Sequence, residues 1–108
     1  MNKKAAIQIL ANEKVNAILN ERDNAPYSKT VALATLTRLN TCQAWTYEAD
    51  YFAVLISYNT EVACIDMRTG ICYDYLRKAY GYTATSAQHI TKFMKKFGAT
   101  KKVTYRPI

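Results

Sequence analysis

The segment YTATSAQHITKFMKKFG (Tyr82–Gly98) has the clearest helical pattern in the chain. Thr85, followed three residues later by Gln88, has the pattern of a capping box. In that motif the two side chains satisfy backbone groups that a first helical turn leaves unpaired. Gly98 is the residue type that most readily turns left-handed after a last turn. The segment therefore predicts a helix that ends at Gly98.

The predicted helix has one apolar and one cationic side. Its large apolar residues recur at spacings of three and four, which places them on one stripe. They are Ile90, Phe93, Met94 and Phe97. The remaining circumference carries Lys92, Lys95 and Lys96. The helix thus has one face to bury and one cationic face to present to a partner.

Positive charge is concentrated in the last third of the chain. The net charge is +7 at pH 7, and all eight acidic residues lie at or before Asp74. The basic residues that follow are Arg77, Lys78, Lys92, Lys95, Lys96, Lys101, Lys102 and Arg106. Such a surface can hold a polyanion or an acidic protein surface by electrostatics alone. The lysines could equally serve only to solvate an outer helix face, so both interpretations stay open.

The length and hydrophobic content set the scale of the fold. A chain of 108 residues, 50% of them hydrophobic, predicts a single domain over residues 1–108 with one core. The longest apolar run, Phe52–Ile56, is far shorter than the roughly 20 residues of a membrane span. A signal-peptide apolar region is also lacking. We therefore expect a soluble, cytoplasmic protein that does not interact with membranes.

Two other parts of the chain have helical patterns. Asn2 can cap a helix over Lys3–Glu21, whose apolar residues recur at helical spacing. They are Ile7, Leu10, Ala11, Val15, Ile18 and Leu19. The segment Thr30–Leu39 suits either a helix or an alternating strand. We favour the helix, because a strand would group the alanines opposite the β-branched residues.

From Thr41 onward the residues are typical of strands, with many aromatic and β-branched side chains. The candidate strands are Cys42–Tyr47, Tyr51–Ser57, Glu61–Asp66, Ile71–Tyr75 and Lys101–Arg106. Gly70 suits the left-handed position of a hairpin loop between two of them. These patterns predict an α+β fold. It contains an antiparallel β-meander of four to five strands, with the N-terminal helix and the late basic amphipathic helix packed on one face.

Residues typical of catalysis are sparse. His89, the only histidine, lies at the edge of the apolar stripe, where Thr85 or a backbone carbonyl could satisfy it. Asp66 and Asp74 could approach each other across a hairpin, although exposed turn residues are the ordinary explanation. With three glycines in the chain, ordinary glycine-rich nucleotide loops are excluded. An enzyme is therefore the less favoured class.

The cysteines do not suggest a metal or redox site. Cys42, Cys64 and Cys72 are an odd number, lie among hydrophobic residues and form no CxxC pair. We expect reduced, buried thiols rather than a disulfide framework or a zinc site. The sequence predicts neither a metal nor a bound cofactor.

The run from Tyr51 to Phe97 resembles a group of small proteins encoded by phages and other mobile elements of Gram-positive bacteria. The similar segments are SYNTEVACID (Ser57–Asp66), RTG (Arg68–Gly70) and YTATSAQHITKF (Tyr82–Phe93). The last is similar to that group's Y-S-A-T-T-S-x-H-I-x-x-F segment. The resemblance covers a little under half of the chain and implies a mobile-element setting. It supplies no catalytic residue.

These features lead to a functional prediction. We expect a non-enzymatic binding protein of a phage or mobile element that inhibits a host anti-phage nuclease system, of the anti-CRISPR type. Its basic C-terminal face would engage a host nucleoprotein or nuclease and occlude a nucleic-acid site or a moving domain. The predicted binding residues are Lys92, Lys95, Lys96, Lys101, Lys102 and Arg106, with Tyr82 and His89 at the rim.

Two alternatives remain open on the sequence. The protein could bind DNA or RNA directly, as an accessory or transcriptional regulator of the element, and such binding depends strongly on salt. A third class is a homodimer that uses the N-terminal helix as its interface. The exposure of Ile9, which lies beside Lys3 and Lys4 off the main apolar face, would decide that question.

Overall fold

A computed structural model of the chain describes residues 2–25, 34–40, 43–80 and 83–108, without the Tyr80 side chain. In those ranges the secondary structure comprises helices and one sheet. The helices are α1 (Lys3–Asp23), α2 (Leu76–Tyr80) and α3 (Ala84–Phe97). The strands are β1 (Thr37–Arg38), β2 (Ala44–Ala49), β3 (Phe52–Ser57), β4 (Thr60–Asp66), β5 (Ile71–Asp74) and β6 (Lys101–Thr104). None of these helices is long and apolar enough to cross a membrane.

The described strands form one six-stranded sheet in the order β1-β2-β3-β4-β5-β6. Strands β1 to β5 are antiparallel neighbours, whereas β6 runs parallel to β5. The change of direction follows from the connection, because α2 and α3 carry the chain back to the end where β5 began. The α+β prediction is confirmed, with a mostly antiparallel sheet and slightly more strands than expected.

The additional strand comes from the segment that the sequence left ambiguous. Residues 30–33 of the Thr30–Leu39 helix prediction lie outside the described ranges. At Thr37–Arg38 the helix prediction is wrong, because these residues pair with Thr46 and Trp45 of β2. Backbone pairing with an existing strand outweighs the weak local preference for a helix.

The two long helices pack on opposite faces of the sheet. Val15 and Ile18 of α1 share a core cluster with Phe52, Val54 and Cys64. Ile90 and Phe93 of α3 share the other cluster, which includes strand residues that alternate with the first set. These are Ala53, Leu55, Ala63, Ile65 and Cys72. The arrangement therefore differs from the prediction that both helices pack on one face, and the sheet is the middle of three layers.

Helix α3 has the predicted apolar stripe and C-terminus but a different cap. Gly98 is left-handed, with φ of 67°, as expected. The N-cap is Thr83 rather than Thr85, and its hydroxyl accepts a hydrogen bond from the Ser86 amide at 3.1 Å. Thr83 and Thr85 are both suitable capping residues, and the helix begins at Ala84, directly after Thr83.

Helix α1 begins as predicted, because the Asn2 side chain accepts a hydrogen bond from the Ala5 amide at 2.8 Å. Its packing face is more polar than the sequence indicated. Gln8 Nε2 donates to the Thr104 carbonyl at 2.8 Å, and Asn12 bonds both backbone groups of Arg106. This face therefore satisfies the outer backbone groups at the β6 edge.

Candidate anion-binding cleft

A cleft of about 410 Å³ lies beside the cationic side of α3. We call it the lysine cleft. Its lining residues come from α3, from the end of β1 and from the two residues that follow β1. They are Arg38, Leu39, Asn40, Lys92, Lys95 and Lys96. The structure thus brings three of the predicted binding lysines into one site.

The core holds both walls of the lysine cleft in place. Ile90 and Phe93 anchor α3 on the sheet, with 1% and 0% of their surface exposed. Leu39 is buried in the same cluster, and its amide donates to the Ala44 carbonyl at 2.8 Å. The segment that carries Arg38 is therefore fixed opposite the exposed lysines of α3.

The lining of the lysine cleft is strongly positive. Four of its six residues are basic and none is acidic. Lys96 Nζ donates to the Thr46 hydroxyl at 3.0 Å, which directs its charge toward the sheet. Cations that share a concave surface raise the local concentration of anions and repel one another when no anion is bound. This geometry can hold a phosphate backbone or a carboxylate cluster.

An exposed aromatic side chain contacts Arg38 at the β1 edge of the sheet. The Arg38 guanidinium is 5.9 Å from the ring centroid of Trp45, within the range of a cation–π contact. Trp45 is 38% exposed. Sequence reasoning missed Arg38, because it lies in the charge-balanced part of the chain, and only the β1–β2 pairing brings it to the cleft.

The other predicted cations are not part of the lysine cleft. Lys102 and Arg106 line a second cavity, on the opposite side of α3, together with Arg77 and Asp74. Lys101 follows the alternation of β6 and shares the α1 side of the sheet with Val103. The predicted basic face is therefore divided into separate groups, and α3 lies between the two cavities.

His89 is not at the rim of either site, because its side chain is buried in the interior. It is 2% exposed, and its Nδ1 lies 2.8 Å from the Ser57 hydroxyl, which is 2.9 Å from the Ser86 hydroxyl. The ring of Tyr58 packs over it at 5.6 Å. Burial lowers the pKa of His89, and the nearby Lys92 lowers it further. The expected partner Thr85 is replaced by Ser57, and Tyr82 lies outside the described residues.

The acidic residues considered for catalysis are far apart along the β4–β5 hairpin. Asp66 pairs with Ile71, whereas Asp74 pairs with Ala63 at the other end. The suggestion that the two carboxylates approach each other is therefore wrong. Asp66 instead accepts two hydrogen bonds from the Arg68 side chain, and these bonds hold its pKa below the usual value.

The described cysteines are free and buried, on opposite sides of the sheet. Burial raises the pKa of Cys64 to about 12 and also raises that of Cys72. Both thiols are therefore protonated at neutral pH, whereas Cys42 lies outside the described ranges. Within those ranges, His, Cys, Asp and Glu side chains form no group of three or more that could hold a metal.

Comparisons of the chain with models of known protein families, with curated proteins and with solved structures find no match. The functional assignment therefore rests on the geometry of the site.

Proposed function

We propose that the protein is a non-enzymatic binding protein of a phage or mobile element that inhibits a host anti-phage nuclease system, of the anti-CRISPR type. It acts by occlusion, with the lysine cleft at the centre of its contact surface. The observation that carries the proposal is the composition of that cleft, which has four basic residues and no acidic one in its lining.

The sign of the charge restricts the mechanism. An inhibitor that imitates DNA needs an acidic surface, whereas the lysine cleft is basic and requires an anionic target. Nucleases present such a target where carboxylates gather around their metal ions. Lysine ammonium groups placed there compete with the metal and with the phosphate backbone. Occlusion of an acidic catalytic cleft therefore fits the charge of this protein.

Charge alone does not give a stable complex. Exposed ion pairs contribute only about 0.2–1 kcal/mol each, so tight binding needs apolar contacts as well. Leu36 and Trp45 are 41% and 38% exposed. Leu36 lies two residues before Arg38 in the chain, and Trp45 pairs with Arg38 across β1 and β2. These side chains can supply apolar contact area at the β1 edge of the sheet.

The proposal can be tested by transformation of a Gram-positive strain with a plasmid that its own CRISPR system targets. Cells that express the protein should accept the plasmid, and cells with a Lys92→Glu, Lys95→Glu, Lys96→Glu variant should reject it. The matched control changes Lys3, Lys4 and Lys14 of α1 to glutamate, with the same change in net charge. The plasmid can be tested in several strains that carry different nuclease systems. If neither the wild-type protein nor the α1 control variant allows the plasmid to survive in any of them, the inhibitor proposal fails.

Direct binding of DNA or RNA is the second candidate, and the Arg38–Trp45 pair favours it. Aromatic rings beside cations serve as stacking surfaces for single-stranded nucleic acid. Binding of labelled single-stranded and duplex probes should then weaken steeply with salt, as each neutralised phosphate releases a counterion. Trp45→Ala should weaken binding of the single strand more than binding of the duplex.

The same titration separates the two candidates. Micromolar binding that disappears in the triple lysine variant identifies a nucleic-acid protein and displaces the inhibitor proposal. If no probe binds at physiological salt, an acidic protein surface is the remaining target of the lysine cleft.

A further inference from the structure

His89 is a buried titratable group directly behind one wall of the lysine cleft. It precedes Lys92 by three residues in α3, and side chains at this spacing are neighbours on a helix, with Cβ atoms about 5–6 Å apart. Lys92 lines the lysine cleft, whereas His89 is 2% exposed. The charge on either side chain therefore acts on the other, because burial of the ring limits screening by water.

The hydrogen bonds of His89 accommodate both the neutral and the protonated ring. Its Nδ1 lies 2.8 Å from the Ser57 hydroxyl, which lies 2.9 Å from the Ser86 hydroxyl. When the ring is neutral, Ser57 can donate to Nδ1 and accept from Ser86. When Nδ1 carries a proton, Ser57 can accept that bond and donate to Ser86 instead. A proton can therefore be added at Nδ1 while both of these hydrogen bonds are kept.

The second ring nitrogen, Nε2, is in contact with solvent. It makes no hydrogen bond in the part of the chain that the structure describes. In the same part of the chain, no buried side-chain nitrogen lacks a partner, so Nε2 is not fully enclosed. A ring that touches water through one nitrogen can exchange protons with it, and His89 can therefore titrate in the folded protein.

The groups around His89 set the sign of its coupling to the lysine cleft. The Ser57 hydroxyl of β3 and the ring of Tyr58, in the turn after β3, pack against it. Burial lowers the pKa of His89, and the positive charge of Lys92 lowers that pKa further. An anion bound at Lys92 offsets this charge, so it makes protonation of His89 more favourable.

We propose that the anionic partner of the lysine cleft binds together with a proton on His89, so that the cleft binds anions more tightly in mildly acidic than in neutral solution. Such coupling is reciprocal, because an anion that favours the proton is favoured by the proton to the same extent. The inference rests on the proposed function in one respect, namely that an anionic partner binds at the lysine cleft.

The test is calorimetric titration with inositol hexasulfate at about pH 5 and about pH 7.5, in buffers of equal ionic strength. This compact anion keeps the same charge at both pH values. The wild type should bind it about threefold more tightly at the lower pH, and a His89→Asn variant should bind it equally at both. Lys95→Ala should weaken binding at both pH values and leave their ratio unchanged. Circular dichroism confirms that each protein is folded at both pH values.

Three results of this titration overturn the proposal. The first is an affinity of the wild type that is equal at the two pH values, or an absence of binding at both. The second is an equal pH dependence in the wild type and His89→Asn. The third is an affinity of Lys95→Ala equal to that of the wild type, because the anion then lies outside the lysine cleft.

Nuclear magnetic resonance gives a second readout that needs no buried substitution. His89 is the only histidine in the chain, so its ring signals in the untagged protein report its pKa directly. This pKa should be higher with saturating anion, and also higher without anion in Lys92→Gln, an exposed substitution that removes the opposing charge. An unchanged pKa in both cases overturns the proposal. The inhibitor proposal is judged separately, by survival of the plasmid.

Discussion

His89 shows how a single buried group couples the stability of the protein to pH. Its Nδ1 bonds the Ser57 hydroxyl, and this contact joins α3 to β3 in the interior. Burial lowers the pKa of His89 from its ordinary value of 6.5, so the neutral ring is the form that the folded protein favours. The unfolded chain binds a proton at higher pH than the folded chain does.

The stabilising contribution of His89 is therefore fully present above about pH 6.5 and is lost as the pH falls through the lowered folded value. We expect the free energy of unfolding in urea to fall between neutral and mildly acidic pH. In a His89→Asn variant, whose amide can still bond Ser57, the free energy of unfolding should depend less on pH over this range. Asp74 acts in the opposite direction, because burial raises its pKa. If the free energy of unfolding of the variant depends on pH as strongly as that of the wild type, His89 does not cause this pH dependence.

Arg22 is a second residue whose environment predicts a measurable effect. It is 7% exposed, and its guanidinium bonds the Glu61 carboxylate at 2.7 Å and the Tyr75 hydroxyl at 3.1 Å. Arg22→Met leaves the Glu61 carboxylate without its cationic partner, although the Tyr75 hydroxyl still donates to it, and should cost about 1–3 kcal/mol of unfolding free energy. In the double variant with Glu61→Gln, part of that loss should be recovered. Additive losses in a denaturant titration would show that the pair is not coupled.

At the scale of elements, local patterns in the sequence predicted where the main helices and strands lie but not how they pack. The apolar stripe of α3 and its end at Gly98 were correct, since both depend on residues within a few turns. The prediction that both helices pack on one face was wrong, because β3 is buried on both sides and needs a helix on each. The unbroken run Phe52–Ile56 was the available sign of this.

Helix α1 illustrates the same limit. Its apolar residues lie around the whole circumference, so spacing alone did not identify the packed side. Ile7 and Leu10, predicted to be on that side, are 57% and 65% exposed, whereas Val15 is fully buried. Ile9 is half-buried and therefore does not form the exposed patch on which the homodimer prediction depended.

A pair of substitutions checks this orientation of α1. Leu10→Ala should change the free energy of unfolding by less than about 0.5 kcal/mol, because the side chain is exposed. Val15→Ala should cost about 2 kcal/mol, because it leaves a cavity against the sheet. A larger cost for Leu10→Ala that grows with protein concentration would indicate a homodimer through this face instead.

At the scale of the whole molecule, the sequence predicted the basic character of the last third but not its division into two cavities. Lys92 and Lys102 are ten residues apart in the chain, and α3 separates the sites that they line. Arg38 and Arg77 join these sites from other elements. A count of charges along the sequence cannot show such groupings, because they depend on the pairing of β1 with β2 and of β5 with β6.

Because like charges are clustered around the lysine cleft, replacing its lysines should affect the stability of the fold and the binding of a partner in opposite ways. Replacing Lys92, Lys95 and Lys96 by glutamate changes the net charge from +7 by −6 to +1 and relieves repulsion around the lysine cleft. We expect the variant to unfold at an equal or higher temperature than the wild type at low salt, while it loses partner binding. Salt should raise the melting temperature of the wild type more than that of the variant. A lower melting temperature would indicate that these lysines stabilise the fold.

The hydrogen-bonded contact between α1 and the β6 segment has a consequence for biosynthesis. It joins residues 96 and 94 positions apart, through the bonds of Gln8 to Thr104 and of Asn12 to Arg106. The ribosome releases α1 early, but the partner strand Lys101–Thr104 leaves the exit tunnel much later. During that interval the outer backbone groups of β5 have no strand beside them. Nascent chains on neighbouring ribosomes can then pair through this edge, so chaperone capacity during translation should limit the yield of folded protein.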